Sequence, residues 1–273
     1  LPAIGWLRSD GSTISYTDAL AIARKEGGFE KFPPTMLMAM REHRDDGYWL
    51  SPSSAYHCPR QRILKMTEPY YQDLEGSWAP FIGNGVHAVL ADAVKNQRSP
   101  LEETQKGMMP EAWKFLDLEF SLRDGTPGKL RMQGTPDLVD LPNAAIYDYK
   151  TIGDFAYFDT ETKQRVTRVF PTPEHELQIN LYALMYNWEH PLIENLFIWY
   201  AKSEGKKGAA RRVVRVPLWD KEDAYHTACE LAEPIAWAEH TGTLPTNCYD
   251  ETDWRCRYCP VKEACQRLAA EGR

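Results

Sequence analysis

Apolar residues keep one spacing for a stretch of this chain and then exchange it for another, and the exchanges mark out its elements. The first part reads as mostly helical. "TDALAIARKEGGF" begins at a Thr–Asp pair and ends at a glycine pair, and "PPTMLMAMREHRDDG" opens on proline and stops at glycine, which are start and stop signals of helices. "LSPSSAYHCPRQRILKM" follows, with Ser51 or Ser53 as a helix cap, and "FIGNGVHAVLADAVKNQ" is an amphipathic helix entered through Gly83 and Gly85. From about residue 115 the spacing becomes that of strands. "FLDLEFSL", "GKLRMQGTPDLVDL" and "AAIYDYKT" are separated by Asp-Gly-Thr-Pro-Gly and Leu-Pro-Asn turns. "PEHELQINLYALMYNW" returns to helical spacing, with Leu177, Leu181 and Leu184 on one stripe. "LIENLFIWYAK" and "ARRVVRVPLW" read as two further strands, and "KEDAYHTACELAEPIAWAEH" as a long closing helix.

This order predicts an α/β fold with a mixed central sheet flanked by helices. The expected organisation is a helical extension over residues 1–50, a core over 51–230, and a C-terminal helix with a cysteine-rich segment over 231–273, packed on that core. At 43% hydrophobic and 26% charged, with Trp 9 and Tyr 14, the chain has material for a substantial core. No segment approaches the apolar length of a membrane span, and the opening residues lack the pattern of a secretory signal. An intracellular protein without membrane contact is the expectation. The net charge of −7 argues against a surface coated in positive charge but leaves room for a local basic groove.

The segment "GTPDLVDLPNAAIYDYKT" carries chemistry among its apolar residues. Residues two apart in a strand share a face, so Asp148 and Lys150 project together while Tyr149 points away. A hairpin turning at Leu141–Asn143 would return Asp137 toward Asp148. Two converging carboxylates suit a hard divalent ion such as Mg²⁺ or Mn²⁺, and an adjacent lysine can orient a water or stabilise charge on a phosphate. Solvated strand ends are the plain alternative. His87 stands near the start of its helix, and Gln178 and Tyr182 lie four apart on one helix face.

These residues resemble the PD-(D/E)XK nuclease superfamily, and within it the RecB-like branch. "GNGVH", "GTPD", "DYK" and "QINLY" stand here in that branch's order, across residues 83–182. The resemblance implies a restriction-endonuclease-like core, with His87, Asp137, Asp148 and the Tyr149 backbone carbonyl as metal ligands. It implies Lys150 as the catalytic lysine beside Asp137 and Asp148, and Gln178 and Tyr182 as positioning residues.

Cys256, Cys259 and Cys265 form a C-x2-C-x5-C pattern, which needs a fourth ligand from elsewhere. Cys248 and Cys58 are the candidates. Zinc is one reading of the spacing and an iron–sulfur cluster another. A subset of RecB-like nucleases, including the nuclease domains of AddB-type helicase–nuclease subunits and the small nucleases of CRISPR adaptation, carries a [4Fe–4S] cluster on one upstream and three downstream cysteines. "SPSSAYHCPRQRILK" resembles the upstream segment, which implies Cys58 as the fourth ligand and leaves Cys248 and Cys229 spare. Such a cluster would clip the two ends of the core together.

"KSEGKKGAARRVVRV" supplies Lys202, Lys206, Lys207, Arg211 and Arg212 as a candidate phosphate-tracking patch. Arg60, Arg62, Tyr70, Tyr71 and Trp78 are further candidates for a groove. The reading is a metal-dependent exonuclease on single-stranded DNA ends, in recombination or repair, phage DNA processing or CRISPR adaptation. A prokaryotic or phage-encoded cytoplasmic protein, with a helicase, recombination or CRISPR integration partner, would fit it. The alternative is a DNA-binding scaffold that does not cleave, held together by a cluster or by zinc.

Overall fold

The computed structural model describes residues 3–40, 47–95, 107–152, 156–158, 165–202, 211–246, 249, 253–257 and 259–272. Its elements begin with β1 (Ala3–Leu7), β2 (Thr13–Ser15), α1 (Tyr16–Glu26), α2 (Pro34–Met40), β3 (Trp49–Leu50), α3 (Pro59–Thr67) and β4 (Tyr70–Asp73). They continue with α4 (Trp78–Lys95), β5 (Met108–Pro110), β6 (Lys114–Ser121), β7 (Pro127–Gly134), β8 (Leu138–Asp140) and β9 (Ala145–Ile152). The rest are β10 (Ala156–Phe158), β11 (Arg165–Thr167), α5 (Pro173–Asn187), β12 (Asn195–Lys202), β13 (Arg211–Val216), α6 (Lys221–Thr241), α7 (Trp254–Arg257) and α8 (Lys262–Ala270). Among these, no helix is long and apolar enough to cross a membrane.

The fold is α/β with mixed sheets flanked by helices. Contacts group the chain into two compact units: Leu1–Tyr48, His57–Phe81 and Pro234–Arg273 in one, Trp49–Tyr56 and Ile82–Glu233 in the other.

The first unit opens with strands where the sequence pattern suggested helix. β1 pairs antiparallel with β2 and parallel with β4. Helix α1 then starts at Ser15, whose hydroxyl accepts from the Asp18 N–H, and stops at Gly27 with φ 80°, a left-handed conformation that glycine adopts without strain. Trp6, Ala19, Ala23 and Leu37 pack into its core. A second cluster joins Ala3, Leu64 and Tyr70 to Val261 and Leu268.

In the second unit a five-stranded sheet runs in the order β13-β12-β9-β8-β5, and a three-stranded sheet runs β3-β7-β6. β9 lies parallel to β12 and antiparallel to β8. The stretch "GKLRMQGTPDLVDL", read from the pattern as one strand, divides into β7 and β8. Pro136 can donate no ladder hydrogen bond, so pairing stops and restarts at Leu138, leaving Asp137 at the break.

Helix α5 is buried all round from Leu177 to Tyr186, not along the one stripe its leucines suggested. Such a helix is a core helix. Its buried polar residues, Gln178 and Asn180, must therefore find partners.

Candidate active site

Strand β9 alternates faces as its sequence predicts, with Ile146 and Asp148 buried. β8 pairs with it in the register Leu138↔Tyr147 and Asp140↔Ala145. The turn between them is secured by Asn143, whose side-chain amide donates to Asp140 at 2.8 Å. Just past the Leu138–Tyr147 pair, the Tyr149 N–H donates to Asp137 Oδ2 at 2.6 Å. The Asp137 carboxylate thus continues the ladder where β8 has ended. In an extended strand the N–H and C=O of one residue face the same neighbour, so the Tyr149 carbonyl also faces the Asp137 side.

Around this point the side chains form one network. His87 Nδ1 lies 2.8 Å from Asp137 Oδ1. Lys150 Nζ lies 2.8 Å from Asp148 Oδ2 and donates to Gln178 Oε1 at 2.8 Å. Gln178 Nε2 donates to Asp148 Oδ1 at 3.0 Å. Tyr182, one helical turn on, is 3% exposed and carries its hydroxyl toward Gln178 and Ser53, while burial and Asp148 hold its pKa well above the ordinary phenol value.

The motif glycines have steric reasons. A Cβ on Gly134 would meet Tyr182 Cε1 at 3.0 Å and Pro52 Cδ at 3.1 Å. A Cβ on Gly83 would meet Thr151 Oγ1 at 3.2 Å, so glycine lets α4 approach β9 closely enough for His87 to reach Asp137.

Burial drives the Asp148 pKa up, with Lys150 pulling it back and Asp137 adding to the rise. The hydrogen bond to Asp137 raises the His87 pKa, against burial. Asp148 Oδ2 is buried without a hydrogen-bond partner. Lys150 is near enough to attract it but outside hydrogen-bond geometry. The Lys150 ammonium at 2.8 Å is the cation attending this buried oxygen, and Asp137, Asp148 and the Tyr149 carbonyl together offer the oxygen donors that a hard divalent ion prefers. Among the described residues no three His, Cys, Asp or Glu side chains gather tightly enough to enclose a metal ion. His87 and Asp137 hold each other instead, and Lys150 and Gln178 hold Asp148.

Two residues of this centre escaped the sequence reading. His175 Nδ1 lies 2.9 Å from the Tyr200 hydroxyl, and Tyr200 stands beside Lys150 in the β12–β9 register. Burial, and then Lys150, lower the His175 pKa to about 4. Its place three residues before Gln178, on the same helix face, was the available signal.

The basic patch is only partly in view. Arg211 and Arg212 are exposed on the edge strand β13, and Lys202 ends β12. Arg212 lies over the Phe170 ring at 5.9 Å, and Phe170 packs on Tyr200 at 4.4 Å. Lys206 and Lys207 lie outside the described residues. Two candidates for a groove are corrected: Arg60 is 5% and Tyr70 7% exposed, each drawn into the packing around α3. Trp78 is exposed and stacks on Phe81.

Cys58 precedes Pro59 at the N-cap position of α3 and makes no side-chain capping bond. Cys256 lies in α7, Cys265 in α8 and Cys259 in the turn between, where its N–H donates to the Cys256 carbonyl at 3.2 Å. All four line one cavity of about 50 Å³. Burial pushes the Cys259 thiol up, and Cys265, Cys58 and Cys256 push in the same direction, so the four sulfurs sense one another. No disulfide joins the described cysteines. Cys229 lines a separate cavity with Tyr225 and Trp188, and Cys248 lies outside the described residues.

An α/β core whose central sheet sets two acids and a lysine against a buried glutamine defines a nuclease-type protein. The chain belongs to the PD-(D/E)XK nuclease superfamily, whose family model matches residues 58–266, more than half of its length. Comparison with curated proteins finds no match. Among solved structures, SSO0001 aligns at 15% identity and TM-score 0.47, covering 91% of this chain and 95% of that one. A protein from Eubacterium rectale named "Putative exonuclease" aligns at 13% identity and TM-score 0.47, covering 77% of this chain and 88% of that one.

Proposed function

We propose that this nuclease-superfamily chain is a metal-dependent deoxyribonuclease of the iron–sulfur RecB-like branch, acting as an exonuclease on single-stranded DNA ends. The observation that carries the reading is the closed network of Asp148, Lys150 and Gln178 beside Asp137. His87, Asp137, Asp148 and the Tyr149 carbonyl would hold Mg²⁺ or Mn²⁺, which supplies an activated water and neutralises charge on the phosphate.

The chain's own residues do the rest. Lys150, fixed by Asp148 and Gln178, presents its ammonium group to the attacking water or to the developing phosphorane charge. Gln178 sets the lysine's position from a core helix, and Tyr182 backs Gln178. Arg211, Arg212 and Lys202 follow the phosphates of the entering strand, with Lys206 and Lys207 in the same segment.

The four-cysteine cavity would hold a [4Fe–4S] cluster that ties the start of α3 to the C-terminal segment. Such a nuclease would serve recombination or repair, phage DNA processing or CRISPR adaptation, with a helicase or integration partner supplying the strand.

The test is incubation with end-labelled linear and with circular single-stranded DNA, in Mg²⁺, Mn²⁺ or EDTA, beside Lys150→Ala. Loss of the linear strand alone, dependent on metal and abolished by the substitution, supports the exonuclease. Cutting of the circle changes the reading to an endonuclease. DNA that is bound but uncut by protein retaining its cluster favours a non-cleaving scaffold.

A further inference from the structure

Arg60 follows Cys58 by two residues on the first turn of α3. A long cation at that place would ordinarily reach into solvent, yet this one is 5% exposed. Its Nε donates to Cys265 Sγ at 3.3 Å, and a terminal guanidinium nitrogen donates to the Pro245 carbonyl at 3.0 Å. One planar fork therefore joins the helix that carries Cys58, the loop at Pro245 and the sulfur of Cys265. The cavity beside it is lined by the four cysteines together with Tyr249, Val261, Lys262 and Arg255, the last paired with Asp253 at 2.7 Å.

Four thiolates on an iron–sulfur core carry net negative charge, and hydrogen bonds to the sulfurs with the local charge set how readily such a core accepts an electron. Resting on the reading that this cavity holds an iron–sulfur cluster, we propose that Arg60 is the positioning residue of that site. It fixes Cys265 Sγ through its Nε and places a permanent positive charge against the cluster. Lysine would keep the charge without the planar fork, and glutamine a donor without the charge.

The test uses the full chain purified without oxygen. Iron and acid-labile sulfide are measured first, then the midpoint potential of the cluster in wild type, Arg60→Lys, Arg60→Gln and Arg60→Met. The expected result is a lower potential in Arg60→Met and Arg60→Gln, substantially restored in Arg60→Lys, with faster loss of iron to a chelator in the same order. Folded state is checked by circular dichroism, and where Arg60→Met does not load, Arg60→Lys against Arg60→Gln decides. A wild type that holds zinc and no sulfide overturns the cluster reading and this inference with it. A wild type with iron and sulfide whose variants all keep its potential and its rate of iron loss leaves the cluster reading standing and overturns the role of Arg60 alone.

Discussion

Gln178 meets Lys150 through its oxygen, at 2.8 Å, and this fixes which end of the amide faces Asp148. The residue must both accept from a cation and donate to an anion, which an amide does and a carboxylate does not. Gln178→Glu would lose the donor and add a third acid, and Gln178→Ala would free the lysine. Each is expected to slow cleavage by about 10²-fold through misplacement of Lys150, while binding to DNA in EDTA stays close to wild type. A kinetic comparison with gel-shift affinity separates the two effects, and an equal loss of both would count against positioning.

Gly134 and Gly83 should respond differently to alanine. Gly134→Ala forces a Cβ against Tyr182 and the Pro52 ring, both packed, and is expected to cost roughly 1–3 kcal/mol. Gly83→Ala meets only the Thr151 hydroxyl, and alanine favours a helix over glycine by about 1 kcal/mol, so little net change is expected. Urea denaturation of both variants measures the contrast.

His175 should make the protein sensitive to mild acid. Its pKa is lowered to about 4 in the folded state, by burial first and Lys150 second, whereas the unfolded chain takes up the proton near 6.5. The unfolded state therefore binds more protons between these values, and stability falls as pH drops from 6.5 toward 4. Between pH 7.5 and pH 5 the loss from this group should be about 1–2 kcal/mol, and His175→Gln should lose correspondingly less than wild type over that interval.

Divalent cation should stabilise the fold through Asp148. A ligand at 100 times its Kd adds about 2.7 kcal/mol, so Mg²⁺ or Mn²⁺ is expected to raise the Tm of wild type. Asp148→Asn, which keeps the shape and loses the anion, should show little or no rise, and His87→Ala a reduced one. An equal rise in all three would place the cation elsewhere.

The hydrophobic pattern carried α4, β6, β9, α5, β12, β13 and α6 because each holds one spacing long enough to be read. It missed β1 and β2, which are short and draw their packing partly from Tyr70 and Leu74, far along the chain. Pro136 was visible in the sequence, but its consequence, a strand cut in two with Asp137 at the break, depends on the sheet that β8 joins.

By itself the sequence determined the residue types of the centre and their order, from Gly83 through Asp137, Asp148 and Lys150 to Gln178 and Tyr182, and the C-x2-C-x5-C spacing. These are local facts, set by side-chain chemistry and by the period of strand and helix. Only the tertiary structure decided that Gln178 is buried and turned to both Asp148 and Lys150, that His175 and Tyr200 stand behind the lysine, and that Arg60 faces sulfur and not solvent. Those relations join residues tens to hundreds of positions apart. Burial, not spacing, selects them, because a polar group taken out of water must find its partner wherever the fold has placed one.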